Sequence, residues 1–356
     1  MAAPAVIRSL ALLLALAAAL APVREAAGQQ DGGDAGWALF MDNDALTART
    51  GDHDYTGGLA LTLAGDRVRH WPMSLDPALG WINRRLLADA DGALESHALQ
   101  VSMLTFTPRA LDRAGPTPGD RPYASIVYVA NSRTTVMPDA RTAYQSSLAV
   151  GMLGLDAAEA TQRTLHRAVG AEVPQGWDHQ VAEGGEPTAR YTLARMRLRA
   201  FGAGGHGTHF ELKDSVAGSA GYLTEASAAL TLRWGRIHTP WWGFLPERAE
   251  YMVEPAPVFG GSAAPGEPRE LYVWAGAKVR ARAYNAFLQG QFRDSDLTYD
   301  FADTRPLIGE LWAGVTGELG AGYRLSWVLR YQSSELRTEP GDRELLWGGV
   351  SVSRSF

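Results

Sequence analysis

Three short stretches concentrate the residues able to do chemistry. "FMDNDAL" (40–46) places Asn43 between two carboxylates, Asp42 and Asp44. "GDHDYTGG" (51–58) then brings Asp52, His53, Asp54, Tyr55 and Thr56 together. "DAAEATQRTLHRAVGAE" (156–172) sets Glu159, Gln162 and His166 at i, i+3 and i+7 of one helix face, with Glu172 just beyond. An imidazole has an ordinary pKa of about 6.5, so His166 is suited to take a proton near neutral pH. No G-x-S-x-G elbow occurs, so a serine nucleophile has no motif and activated water is the simpler route. There is no cysteine, which excludes thiolate nucleophiles and zinc–thiolate sites. His53 is the rival histidine for metal contact, although its turn-like run reads as surface.

Which elements must hold these residues depends on the solvent. Arg8 followed by an apolar run from Leu10 to Leu20, then Ala26-Ala27-Gly28, reads as a secretory leader over 1–28, with 29–356 as one domain. Removing Arg8, Arg24 and Glu25 moves the formal charge from −6 to about −7, which argues against a nucleic-acid partner. Beyond the leader no apolar run is long enough for a spanning helix. A closed barrel is the other way to satisfy every backbone group in lipid. Its signature is a set of ~10-residue segments of alternating polarity with aromatic ends.

"GYRLSWVLRYQSSEL" carries that signature, with Tyr323, Leu325, Trp327, Leu329 and Tyr331 alternating with Arg324, Ser326, Val328, Arg330 and Gln332. "ALTLRWG" repeats it. In "YTLARMRLRAF" the arginines 195, 197 and 199 share one face, which is expected to line a polar lumen. The chain ends within a strand on Phe356, although Arg354 interrupts the alternation. A periplasmic β-sandwich also alternates, but the aromatic edges and 39 glycines favour an all-β transmembrane antiparallel barrel.

Thirteen candidate strands emerge: 36–43, 55–64, 97–107, 123–132, 143–153, 189–201, 208–217, 223–235, 270–282, 285–293, 307–318, 321–333 and 344–356. Single-chain bacterial barrels use even counts, so twelve are expected, with 208–217 or 285–293 belonging to a loop. The long connections are 66–96, 107–122, 154–188 and 236–269. The last is rich in Pro and Trp and reads as a packed external loop or a surface near lipid headgroups. Residues 156–172 form the helix candidate, with Asp156 as cap, Glu159 at the capping-box position, Leu165 and Val169 on one face, and Gly170 as stop.

Five segments in order, "DND" (42–44), "DYTGG" (54–58), "GDRPYAS" (119–125), "TQRTLHRAVGAE" (161–172) and "PQGWDHQ" (174–180), resemble the outer-membrane lipid A 3-O-deacylases. They cover roughly residues 37–187. The chain departs from that family at Gly57, where a polar residue is frequent, and in the loosely matching basic loop after Phe106. The resemblance implies a twelve-stranded barrel in the outer membrane, with its site between the wall and a loop helix. The implied reaction is calcium-dependent hydrolysis of the ester-linked 3′-acyloxyacyl group of lipid A, the lipopolysaccharide anchor in the outer leaflet. By matching motif, His166 would be the base, and Asn43, Asp44, Thr56, Gln162 and Glu172 the other site residues.

These residue types suit the implied chemistry. Calcium takes hard oxygen ligands, which Asp44, Glu172, the Asn43 amide and backbone carbonyls near Thr56 can offer. Such an ion would stabilise the oxyanion, and the Thr56 hydroxyl would add a hydrogen bond. Arg109 and Arg113 sit where sugar phosphates would favour guanidinium groups. In "GDRPYAS" Asp120 and Arg121 are expected to pair within a turn. The enzyme is expected to act as a monomer. Two alternatives remain: an outer-membrane phospholipase with the same residues, and an inactive barrel serving as a pore or structural protein.

Overall fold

The computed structural model describes residues 35–47, 54–87, 92–169, 172–259 and 268–356. The expected leader and His53 lie outside them. Twelve strands close an antiparallel barrel: β1 (Gly36–Asn43), β2 (Asp54–Ala64), β3 (Leu94–Thr107), β4 (Ala124–Val136), β5 (Thr142–Leu153), β6 (Glu186–Ala203), β7 (His209–Gly221), β8 (Leu223–Arg236), β11 (Leu271–Asn285), β12 (Leu307–Gly320), β13 (Tyr323–Gln332) and β14 (Leu345–Ser355). Strands adjacent in this series pair, and β1 joins β14 with Gly36 opposite Ser355. Between β8 and β11 lies a two-stranded ribbon, β9 (Ala249–Glu250) and β10 (Met252–Val253), outside the barrel ladder. Three helices occupy connections: α1 (Asp76–Leu86), α2 (Asp156–Val169) and α3 (Ala286–Gln289).

Twelve is the expected number, and the segment that drops out is 285–293. There Asn285 caps α3 by accepting from the Phe287 amide, and Gly290 ends it in the left-handed region at φ 69°. The capping amide and the glycine outweigh the apolar character that reads as a strand.

The alternation sorts the two faces. Leu230, Leu232 and Trp234 of β8, Leu271, Val273 and Val279 of β11, and Trp327 and Tyr331 of β13 are exposed on the outside. Inward positions carry Thr231 and Arg233 of β8, Lys278, Arg280 and Arg282 of β11, Glu310 of β12 and Arg330 of β13, all buried. Arg354 faces outward at the rim, its guanidinium 4.8 Å over the Tyr323 ring, which accounts for the broken alternation. The arginine stripe of β6 is a correction. Arg190 reaches Glu254 in the lumen and the ladder is regular until the bulge after Leu198, so Arg195 and Arg197 face outward. Arg199, the bulged residue, pairs with Asp214 on the surface. Arg195 and Arg197 oppose Tyr144 and Thr142 at the start of β5, and Arg199 lies beyond them, where a guanidinium on the outer face can reach toward headgroups.

Chain parity assigns the connections to two ends. The 65–93 and 237–270 connections share an end with the first and last strand termini and with the short turns 137–141, 204–208 and 321–322, which marks that end as periplasmic. The connections 44–53, 108–123, 154–185, 286–306 and 333–344 lie at the other end.

Segment 237–259 corrects the second expectation, because it is not an external loop. It rises inside the barrel and bonds to side chains from eight of the twelve strands, β3 to β8, β11 and β13. Lys213 pairs with Glu247 at 2.9 Å, and Lys278 pairs with Glu250 at 3.0 Å and donates to the Ala249 carbonyl at 2.6 Å. Ser132 and Gln145 donate to the Pro255 carbonyl at 2.7 and 3.0 Å, and Arg330 donates to that of Pro246 at 2.8 Å. At its tip Tyr251 stacks among Tyr55, Phe106 and Phe287. Its prolines and tryptophans therefore fill a lumen. Most of these buried charges persist because they find opposite partners, as Arg280 does with Glu250 at 2.8 Å and with Glu310.

Candidate active site

The site begins with an irregularity. β2 and β3 pair regularly except at one bulge, where Tyr55 opposes Phe106 and Gly57 opposes Thr105, leaving Thr56 as the extra residue. A bulge bends the strand and re-aims a side chain. Tyr55 and Phe106 point into the lumen cluster. Thr56 turns instead to Thr107, with their hydroxyl oxygens 2.6 Å apart and both residues buried. Because Phe106 faces inward, its neighbours Thr105 and Thr107 face out. Asn43 follows Leu39 and Met41 on the outer side of β1, and its amide donates to the Thr56 carbonyl at 2.5 Å. A Cβ at Gly57 would lie 2.8 Å from the Asp42 carbonyl oxygen and 3.2 Å from the Asn43 amide nitrogen. The closeness of this β1–β2 crossing is why a side chain is missing there.

Behind the bulge a charged network fixes the loops. Asp54 adopts a left-handed backbone at φ 73° and accepts from two guanidinium nitrogens of Arg343 at 2.8 and 2.7 Å. Arg343 also lies 2.6 Å from Asp120, whose other oxygen accepts from the Arg109 amide at 2.9 Å. The expected side-chain pairing of Asp120 with Arg121 is not what forms. Asp120 holds the Arg121 backbone amide, while the Arg121 guanidinium crosses to Glu335. Glu335 is buried, yet Arg121 and Arg282 keep its carboxyl below the ordinary range. Sequence separation of more than two hundred residues hides such a partner from local reading.

α2 supplies the other wall. It runs Asp156–Val169, with Asp156 its first residue rather than its cap, and the expected stop, Gly170, lies outside the described residues. Ala158 is fully buried, Glu159 pairs with Arg163 at 2.7 Å, and the helix packs against β3 and β4. The Ser125 hydroxyl, on the outer side of β4, donates to the Leu155 carbonyl at 3.5 Å and to the Gln180 side chain at 2.8 Å. α2 therefore leans on the outside of the barrel. Gln162 is 4% exposed, and neither its Oε1 nor its Nε2 has a hydrogen-bond partner. A buried amide without partners costs about 1–3 kcal/mol, so this side chain is held for something other than packing.

Each expected residue can now be placed. Asn43 and Thr56 are joined on the outer wall. Asp44 opens the short 3-10 turn after β1 and is buried, its carbonyl accepting from the Thr47 amide and hydroxyl. Gln162 is buried on α2. His166 belongs to α2, but its side chain lies outside the described residues, as do those of Leu165 and Val169. Glu172 is exposed in the coil after the helix, and Arg109 and Arg113 are exposed in the 108–123 loop. Among the described residues no three His, Asp or Glu side chains converge at metal-ligating distance. Sequence reasoning missed Thr107. Its signal is the switch in "VSMLTFT" from Val101 and Met103 to Thr105 and Thr107 on one lipid-facing parity. His179, in the matched segment "PQGWDHQ", reaches across to Asp296 and ties two far-end loops together.

The family model for "Outer membrane protein LpxR" matches residues 10–356. The chain belongs to this family. Among solved structures, LpxR from Salmonella typhimurium is similar at a TM-score of 0.67 and 17% identity, covering 90% of this chain and 100% of that one. The β-domain of the Bordetella autotransporter BrkA follows at 0.42 and 16%, over 90% and 100% of the chains. No curated protein matches the sequence. This LpxR-family barrel is an outer membrane protein.

Proposed function

We propose that this chain hydrolyses the ester-linked 3′-acyloxyacyl group of lipid A in the outer leaflet, acting as a single barrel. The observation that carries the reading is Gln162, a buried amide with both polar atoms unpartnered, on a helix that packs against β3, the strand whose Thr107 bonds Thr56. Membership of the LpxR family supports the same substrate class. A cleft outside the wall is where an outer-leaflet lipid can present an ester without leaving the bilayer.

In this reading His166 takes the proton from the attacking water and returns it to the departing alkoxide oxygen. Gln162 and the Thr56 hydroxyl, steadied by Thr107, direct hydrogen bonds at the reacting carbonyl. Arg109 and Arg113 receive the sugar phosphates, in a loop whose shape Asp120 fixes through the Arg109 amide. The donors fit calcium in kind: a buried carboxylate at Asp44, the neighbouring Asn43 amide, the Glu172 carboxylate and the unpartnered Gln162 oxygen are all hard oxygens. When bound, calcium supplies a Lewis acid for the scissile carbonyl.

The test is the mass of lipid A from cells expressing the protein, beside His166→Ala, with calcium present or chelated. Loss of one acyloxyacyl group that requires both His166 and calcium supports the reading. Unchanged lipid A with a folded barrel overturns it, and a change confined to phospholipids makes the barrel a phospholipase. The pore alternative meets the plug of residues 237–259, which predicts no steady conductance in a planar bilayer.

A further inference from the structure

The connection between β2 and β3 does not hang below the barrel mouth; it is strapped onto the outer wall. The Asn83 side chain donates to the Ser146 hydroxyl at 2.7 Å and accepts from the Tyr191 hydroxyl at 3.1 Å. The Leu75 amide donates to Asn131 at 2.8 Å, and the Arg133 guanidinium donates to Asp76 at 2.9 Å. Ser146, Tyr191, Asn131 and Arg133 are all outward positions, because Gln145, Arg190 and Ser132 beside them engage the lumen plug. α1 buries Leu79 and Gly80 against this wall, and a Cβ at Gly80 would lie 2.7 Å from the Arg133 guanidinium. A strap this close to the strands leaves its opposite side to whatever surrounds the barrel.

That opposite side is aromatic and basic. Trp71, Met73, Trp81 and Leu86 are exposed between 43% and 57%, high for large apolar groups. Arg67, Arg84 and Arg85 are exposed among them, and the Arg85 guanidinium lies 3.7 Å over the Trp81 ring. Below Tyr191 on the same outward face of β6 come Arg195 and Arg197. The acids nearby are largely engaged: Asp76 with His97 and Arg133, Glu95 with Arg133, and Asp66 3.9 Å from Arg69. Tryptophans with arginines on a helix lying along a membrane wall match the boundary between acyl chains and headgroups. Parity puts both ends of the strap at the periplasmic mouth, on the phospholipid side, from which it climbs the outer wall as far as Asn131, Ser146 and Tyr191.

We propose that the strap is a binding surface for the phosphate headgroups of anionic inner-leaflet phospholipids. Arg67, Arg84 and Arg85, together with Arg195 and Arg197 of β6, receive the phosphates. Trp71, Met73, Trp81 and Leu86 enter the acyl boundary beside them. Guanidinium suits this role because it pairs two phosphate oxygens and remains charged at every pH the membrane meets. The surface is at the opposite end from the candidate active site and does not depend on the reading of that site.

The test uses the full barrel in phosphatidylcholine nanodiscs doped with spin-labelled phosphatidylglycerol or spin-labelled phosphatidylcholine, reading the motionally restricted fraction of each. Phosphatidylglycerol is expected to be preferred by about threefold or more. Arg84→Gln/Arg85→Gln should bring that preference close to parity while leaving the phosphatidylcholine signal unchanged. Arg195→Gln/Arg197→Gln gives an independent partial loss, should the first pair disturb the strap. Heat-modifiable gel mobility confirms that each barrel is folded. Equal association of the two lipids, or a preference that survives both double variants, overturns the proposal. A preference lost only in Arg109→Gln/Arg113→Gln places the anionic lipid at the other end and overturns it too.

Discussion

The lumen and the outer wall beside α2 are both polar and buried, yet they treat their polar groups differently. In the lumen most charged side chains have an opposite partner, and among the described residues Asp42, buried on the inner face of β1, is an exception with no ion pair. Lys278 touches Glu250, Glu247 and Ala249, and Arg282 touches Glu225, Glu335 and Tyr251. At the wall, Gln162 is buried to a similar degree with neither polar atom paired. Among the described residues no other buried side chain has both of its hydrogen-bonding atoms orphaned. Groups kept for folding are paired within the fold, whereas a group kept for a ligand can retain unspent capacity at a cost in stability.

The sharpest way to break this contrast is a pair of opposite substitutions. Lys278→Met removes the cation that holds Glu250 and two plug carbonyls, leaving buried acceptors behind. It should cost about 3–5 kcal/mol in urea unfolding of the refolded barrel, with lipid A hydrolysis per folded molecule nearly intact. Gln162→Leu removes an amide that has no partner to lose. Unfolding should shift toward greater stability, by about 1–3 kcal/mol, while hydrolysis falls by about tenfold or more. Were Gln162→Leu to destabilise the barrel while sparing activity, the amide would be structural and the contrast would collapse.

A second prediction sharpens the contrast by titration. Asp76 is a saturated group outside the lumen. Its burial alone would raise the carboxyl, but hydrogen bonds from His97 and Arg133 overturn that and hold it at about 2, below its ordinary 3.8. A depressed carboxyl contributes stability above its unfolded pKa, which is lost as the pH falls through the folded one. The strap should therefore weaken between about pH 4 and pH 2, by about 2 kcal/mol at the acid end. Limited proteolysis with pepsin across that window, scored for cleavage within 65–87, reads it directly. Asp76→Asn should remove most of the pH dependence. A strap equally resistant across the whole range would show that Asp76 carries little of its attachment.

Much of the wall was legible from sequence because alternation reports which medium each face meets. Twelve strands, the edges of β1 and the helix over 156–169 follow from that and from local stop signals. Three features were not legible. The polarity of Arg195, Arg197 and Arg199 is the same for a lumen as for a headgroup rim, and only the register to Arg190 and Glu254 separates them. Segment 237–259 has the composition of an interfacial loop, because burying prolines and tryptophans in a lumen and at a membrane surface calls for the same residues. The partners of Arg121 and Asp54 lie at Glu335 and Arg343, beyond the reach of any local pattern. The ordered motifs marked Asn43, Thr56 and Gln162 as a group, but their geometry depends on the bulge that frees Thr56.

The smallest expected effect falls on the bulge itself and asks whether a hydroxyl pair belongs to the fold or to the site. Thr56 and Thr107 share one hydrogen bond at 2.6 Å, so Thr107→Val keeps the shape and removes one partner. The lost bond should cost about 1 kcal/mol of stability. If Thr107 only fills space, hydrolysis per folded molecule stays at the wild-type level. If it positions Thr56 for the reacting carbonyl, the turnover rate should fall by about three- to tenfold with little change in the apparent substrate affinity, the pattern of an interaction made only in the transition state. Thr107→Ser, which restores the hydroxyl without the methyl, should recover the rate even where it fails to recover the stability. Recovery of stability and rate together by serine, in fixed proportion, would instead place Thr107 with the saturated groups of the lumen.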